Sequence, residues 1–232
     1  MEVKEIVDKV MDEYGPTFDE EEAKTIKTFL LAYAEDIINY TDENMPTDED
    51  VKKQIDQTLD EHFSDESVEE KAKRKEFLEK IYLEGKTYAE AMGLDSNHLD
   101  ALFSMGYNNY NAGKYQEAQM YFCYLTLLNN RDPRYFFSAG AAFQMQKDYS
   151  NAIAFYSQCT RLDWMNPMPW FHLADCYIKT EDFPNALMAL KGVINRTKND
   201  GMYAKINERA HILYNQTLEK FSEEIREFHM SE

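Results

Sequence analysis

Five positions in the second half of the chain recur every 34 residues, and that period restricts the fold more than any other feature. Gly106, Gly140 and Ala174 form one series, and Leu102, Phe136 and Trp170 another. Tyr115, Tyr149 and Phe183 keep the same interval, as do Ala118, Ala152 and Ala186, and Phe122, Tyr156 and Leu190. Three ungapped copies of one spacing describe a unit that cannot bury its apolar face alone and stacks on its neighbours to do so. The residue types say what the unit is. A small residue lets two antiparallel helices approach closely, and the alanine on the second helix does the same from the other side. Leu102, Phe136 and Trp170 fill the space between hairpins. Lys114-Tyr115, Asp148-Tyr149 and Asp182-Phe183 mark the turns between the two helices.

This is the tetratricopeptide pattern, with repeats expected at 99–132, 133–166 and 167–200. Pro133 and Pro167 open the second and third, at a helix position where a missing N–H costs nothing. Only 8 Gly and 6 Pro in 232 residues agree with an all-α chain rather than a turn-rich sandwich or barrel. Residues 76–98 read as a helix leading into the repeats. After them, Ile206, Ala210, Leu213, Tyr214, Thr217, Leu218, Phe221, Ile225 and Phe228 draw one long amphipathic helix over 201–232. A solenoid needs its last apolar face covered, so this is the expected capping helix. The fold class is therefore a tetratricopeptide superhelix of three hairpins, with an N-terminal helical extension over 1–75 and a C-terminal cap.

The extension carries the charge. Residues 1–70 hold 23 Asp/Glu against 6 Lys/Arg, whereas 71–232 hold 20 against 19, so nearly all of the net −18 lies in the first third. It still has apolar stripes. Val3, Ile6, Val7, Val10, Met11 and Tyr14 share one helix face, ended by Gly15-Pro16. Thr17 with Glu20 reads as a capping box opening a second stripe of Ile26, Leu30, Tyr33, Ala34, Ile37 and Ile38. After Asn44-Met45-Pro46 comes a shorter third stripe, Val51, Ile55, Leu59 and Phe63. Such helices are marginal alone, so the stripes fold on one another, pack on the body or dimerise; a weak homodimer is expected.

Several function classes fall away. An acidic field repels phosphate backbones and anionic lipid, so no nucleic-acid partner is expected. No apolar run approaches the ~20 residues that cross a bilayer, and the first residues lack the basic-then-apolar form of a signal peptide. Cys123, Cys159 and Cys176 have no CxxC spacing and suit free thiols in a reducing cytoplasm. There is no GxGxxG, HExxH or EF-hand loop. Gly85-Lys86-Thr87 imitates the end of a P-loop, but Lys80 stands where its first glycine belongs. The five histidines form no i, i+4 pair. No catalytic residue, cofactor or metal is expected; the chain reads as a binding module and not an enzyme.

In such a superhelix the first helix of each repeat lines the concave face, and residues just after the packing position point into it. These are Phe103, Tyr107 and Tyr110 in repeat 1, Phe137, Ala141 and Gln144 in repeat 2, and Phe171, Asp175 and Ile178 in repeat 3. They form either a groove wall or part of a core or dimer contact. Leu102, Met105 and Gly106 already supply a packing stripe on a different face, which favours the groove. A clamp for a C-terminal carboxylate needs Lys and Asn on the first of these helices; Phe103 and Tyr107 stand there instead, followed by Met168 and His172 on the third. Aromatic walls suit an extended peptide with apolar anchors, each contributing roughly 1.5–3 kcal/mol when buried.

The run Leu99-Asp100-Ala101-Leu102-Phe103-Ser104-Met105-Gly106-Tyr107-Asn108-Asn109-Tyr110, then Ala112-Gly113-Lys114-Tyr115 and Ala118, resembles the class II chaperones of bacterial type III secretion, the SycD/LcrH type. The likeness continues through Asp132, Arg134-Tyr135-Phe136, Gly140-Ala141, Gln144, Tyr149 and Ala152-Ile153, and more weakly through Pro169, Phe171-His172 and Ala174-Asp175-Cys176. Phe77-Leu78 and Gly85-Lys86-Thr87 are similar to the helix and turn before the first repeat, so about 76–200 is covered. The resemblance implies three repeats whose concave face holds a short extended segment of a hydrophobic translocator's N-terminal region. It implies groove positions at Phe103, Tyr107, Tyr110 and Tyr115, second-helix groove positions at Tyr124 and Leu128, and a counterpart at Tyr156. Two departures stand out: Tyr124 replaces a small residue, and the acidic extension has no equivalent.

The expected function is that of a chaperone in the bacterial cytoplasm, masking a translocator's apolar segment so that it neither aggregates nor inserts early. The alternatives are an adaptor or regulatory scaffold using the same groove, and an assembly factor of the secretion apparatus.

Overall fold

The structure, a computed structural model, describes residues 46–198 and 200–230 together with Asp8, Lys24 and Lys27, with side chains as far as Glu223. The first two stripes of the extension lie outside the described residues. By its contacts the chain divides into two compact units, Met1–Glu84 and Gly85–Glu232. The expected boundary at 75 falls inside a helix. The described residues contain no strand.

In the first unit, α1 (Asp48–His62) and α2 (Val68–Tyr82) form a hairpin. Each opens with a capping box, Thr47 with Asp50 and Ser67 with Glu70, in which side chain and backbone bond reciprocally. Ion pairs Lys71–Asp60 and Lys75–Asp56 set the antiparallel register. Being exposed, they contribute little to stability. The hairpin closes instead on Ile55 and Leu59, which are buried, and on Arg74, whose guanidinium stacks 4.0 Å over the Phe63 ring while bonding Glu66.

The second unit begins with the short α3 (Tyr88–Ala91) and continues as three hairpins. These are α4 (Ser96–Asn111) with α5 (Tyr115–Leu128), α6 (Pro133–Met145) with α7 (Tyr149–Leu162), and α8 (Pro167–Lys179) with α9 (Phe183–Thr197). Asp95, Asp132 and Asn166 cap the first helices with their side-chain oxygens. Each turn between partners contains one left-handed residue at the same repeat position, Gly113, Lys147 and Glu181. Glycine takes that conformation freely; lysine and glutamate adopt it at a cost of about 1–2 kcal/mol.

The 34-residue spacing is a steric pairing. A Cβ on Gly106 would come within 2.7 Å of the Phe122 ring, and one on Gly140 within 2.9 Å of the Tyr156 ring. Where the third repeat has the smaller Leu190, it tolerates Ala174. Ala118, Ala152 and Ala186 are fully buried opposite. Arg196 fastens the third hairpin to the loop before it, bonding the carbonyls of Trp164 and Gly192 and stacking 4.3 Å over Trp170.

The terminal helix α10 (Ala204–Met230) caps the stack through Ala210 and Thr217, with Asn207 donating to Thr197 Oγ1 at 2.8 Å. Leu218, included in the expected stripe, is exposed, since it stands about 100° around the helix from Thr217. The expected packing stripe of the first repeat also differs. Met105 is 51% exposed and Leu102 half-buried, because within this unit only α3 precedes the first hairpin. Ile225 and Phe228 lie beyond the described side chains.

Candidate functional site

The inner helices α4, α6 and α8 bring three of the expected aromatics, Phe103, Tyr107 and Phe137, into one cleft of about 450 Å³. Phe103 and Tyr107 line it from α4, Phe137 and Ser138 from α6, and Met168 with Pro169 from α8; Cys159 of α7 and Asp163, just past the end of that helix, complete the lining. Tyr107 is the open member, 54% exposed. Phe103 does two things at once, since its ring also packs against Phe122 at 5.6 Å and Tyr135 at 5.8 Å. Tyr110 meets Tyr115 edge-on at 5.3 Å and rests on the first repeat's core, so these two half-buried rings brace one another beyond the cleft.

The other expected residues fall in three places. Phe137, Ala141, Gln144, Phe171, Asp175 and Ile178 are half-buried along α6 and α8. Tyr124 is exposed but opens onto a separate hollow of about 640 Å³ on the first hairpin, with Leu102, Asn109, Glu117, Met120 and Tyr121. Leu128 and Tyr156 are core residues, 3% and 0% exposed, and offer no free surface. Leu128 faces the first core cluster, and Tyr156 fills the space that Gly140 leaves. That corrects the placement the resemblance implies for these two.

Met168 lines the cleft from the third-helix place where a carboxylate clamp would carry a base, and Arg134 also lines it, which sequence reasoning did not single out. Arg134 chelates Asp132 and stands 5.8 Å over Phe103. The Asp132-Pro133-Arg134 run carries the signal, a helix cap followed by a cation returning to it. Cys159 donates its thiol to the Pro133 carbonyl at 3.2 Å, and burial pushes it up to about 12, so it stays protonated.

Farther along α6 and α8 lies a polar network. Gln144 Oε1 accepts from the Tyr156 hydroxyl at 2.8 Å and pairs with His172 Nδ1 at 3.1 Å, while its Nε2 donates to Asp175 Oδ2 at 2.7 Å. His172 stacks on Tyr156 at 5.4 Å. Burial holds its pKa below the ordinary 6.5, against an opposing pull from Asp175. The unfolded chain therefore takes up a proton near pH 6.5 that the folded chain resists, and stability is full above that pH and falls on acidification below it. Thermal melts from pH 7.5 to 5.5 should fall more steeply for the native chain than for His172→Gln. Parallel slopes would show that His172 does not titrate on unfolding.

Among the described residues no group of three or more His, Cys, Asp or Glu is placed to hold a metal, and no helix is long and apolar enough to cross a membrane.

No family model matches the chain. It is 32% identical over 109 residues to the low calcium response locus protein H of Yersinia pestis, covering 47% of this chain and 65% of that protein, just under two thirds of the relative's length. Among solved structures, the Yersinia enterocolitica chaperone SycD in complex with a peptide of the translocator YopD aligns with a TM-score of 0.52 and 28% identity, over 54% of this chain and 96% of that one. PcrH of Pseudomonas aeruginosa, in complex with the chaperone binding region of PopB, aligns with a TM-score of 0.50 and 30% identity, over 52% of this chain and 97% of that one.

Proposed function

We propose that this chain, which belongs to the class II chaperones of type III secretion, holds an extended apolar segment of a hydrophobic translocator in the cleft between α4, α6 and α8. The observation that carries this reading is the cleft itself, where Phe103, Tyr107, Phe137 and Met168 from three successive inner helices offer apolar area to one cavity. Rings suit that task because they bury much area while losing few rotamers. The action is masking: a segment bound there can neither aggregate nor insert into a bilayer. It requires no bond to be made or broken, so the protein is read as non-catalytic and working in the bacterial cytoplasm.

The groove is assigned to Phe103, Tyr107, Phe137, Ala141, Gln144, Phe171 and Asp175, with Tyr110 and Tyr115 as support. Residues 1–75 are read as a separate acidic extension, 99–200 as the binding body and 201–232 as its cap. A weak homodimer, competing with the client through the apolar stripes of residues 1–92, completes the reading.

Co-expression with an encoded neighbour bearing long apolar helices is the direct test. The neighbour should move from the pellet to the soluble fraction and co-purify with this chain. Equal insolubility with and without it would overturn the chaperone reading and leave the adaptor.

A further inference from the structure

The two halves of the groove differ in polarity. Around α4 and the start of α6 it is apolar, and its one cation, Arg134, is taken by Asp132. Toward the end of α6 and the middle of α8 stand Gln144, His172 and Asp175. The carboxamide of Gln144 has only one orientation that satisfies all its neighbours. Turned over, its oxygen would face the Asp175 carboxylate and the Tyr156 hydroxyl would lose its acceptor. The network thus runs in one direction, from the Tyr156 hydroxyl through Gln144 to Asp175.

Asp175 ends that chain without a counter-ion. Its only hydrogen bond comes from a neutral amide, and it makes no ion pair among the described residues. Neither of two neighbouring cations pairs with it: Arg209 of α10 lies 5.9 Å over the Phe171 ring, and Lys179, one turn along α8, is exposed. Asp175 is half-buried and shares a helix face with Phe171 and Ile178, four residues before it and three after. Burial is the main reason that the pKa values of Tyr156 and Cys176 are raised, and the Asp175 charge adds to both while opposing the fall at His172. A partly desolvated carboxylate held by a neutral donor is an acceptor for a cation from outside.

From this we infer that Asp175 is a specificity-determining residue, receiving a Lys or Arg side chain of the bound segment while the apolar cleft takes its anchors. The inference rests on the groove reading above and adds a charge to it. Asp175 lies seven residues beyond Met168 on α8, about 10 Å along the axis. An extended chain spans that in about three residues. The segment that fits therefore carries a basic residue two to four positions from its last apolar anchor.

The test uses the full chain and synthetic twelve-residue peptides followed by fluorescence anisotropy. Each peptide has three leucine anchors in a Gly/Ser background, with Lys, Met or Glu placed two, three or four positions after the last leucine. At one placement Lys should bind at least about fivefold tighter than the equally long, uncharged Met, and Glu weaker than both. The preference should shrink as salt rises. In Asp175→Asn, which keeps an acceptor for Gln144 Nε2, Lys and Met should come within about twofold. Equal binding of the Lys and Met peptides to the native chain at every placement overturns the inference, as does an undiminished Lys preference in Asp175→Asn. Failure of every leucine peptide, Met versions included, is a different result: it overturns the groove reading and this inference falls with it.

Discussion

Gly140→Leu should lower the melting temperature of the protein by about 6–12 °C. The backbone of α6 passes so close to α7 that even one added carbon would lie 2.9 Å from two atoms of the Tyr156 ring. That ring cannot retreat, since it is fully buried and its hydroxyl is bound to Gln144. Overpacking of this kind costs about 1–3 kcal/mol and more where nothing yields. At 2–4 °C per kcal/mol for a chain of this size, about 3 kcal/mol gives the stated shift. The third repeat shows the natural remedy, Ala174 opposite Leu190. Gly140→Ala should therefore cost less than Gly140→Leu, and adding Tyr156→Leu should recover part of that loss, the lost hydroxyl bond preventing full rescue. Circular dichroism melts of the three variants decide it. A native melt for Gly140→Leu would show that the contact yields and that the 34-residue spacing has another cause.

The same pairing explains why so much of the fold could be read from residues alone. Gly106 with Phe122, Gly140 with Tyr156 and Ala174 with Leu190 leave a period because close helix contact admits only small residues, wherever the repeat stands in the stack. What depends on neighbours leaves no such trace. Met105 sits at a packing position by its spacing, yet it is exposed, because no earlier hairpin in its unit covers it. Lys147 and Glu181 take the left-handed turn that Gly113 announces openly, with no glycine to betray them. The groove residues divide in the same way. Phe103, Tyr107 and Phe137 are legible from their place one step past the packed residue. Tyr156 and Leu128 came through family likeness, which transfers a position but not its exposure, and burial removes both from the accessible surface. Asp175 was legible as a groove position. Its missing counter-ion was not, since that depends on Gln144 of α6 and on how the cations of α8 and α10 are placed.

Tyr107→Ala should weaken binding of a client segment by roughly 5- to 150-fold, about 1–3 kcal/mol, while moving the melting temperature by less than about 2 °C. The separation of the two effects follows from where the ring stands. Tyr107 is 54% exposed, so truncating it removes little that the folded chain itself uses. Its neighbour Gly106 makes the interhelical contact instead. In the complex the ring would lose its water and form one wall of the cleft beside Phe137. Phe103 provides the contrast. Its contacts at 5.6 and 5.8 Å with Phe122 and Tyr135 tie it to the core, so Phe103→Ala should lower binding and stability together, by about 3 kcal/mol or more in the fold. The two variants are read with thermal melts and with titration of the segment recovered by co-expression. If Tyr107→Ala melts early but still binds as the native chain does, the ring serves the core, and the line of aromatic side chains across the three inner helices is packing that happens to reach the surface.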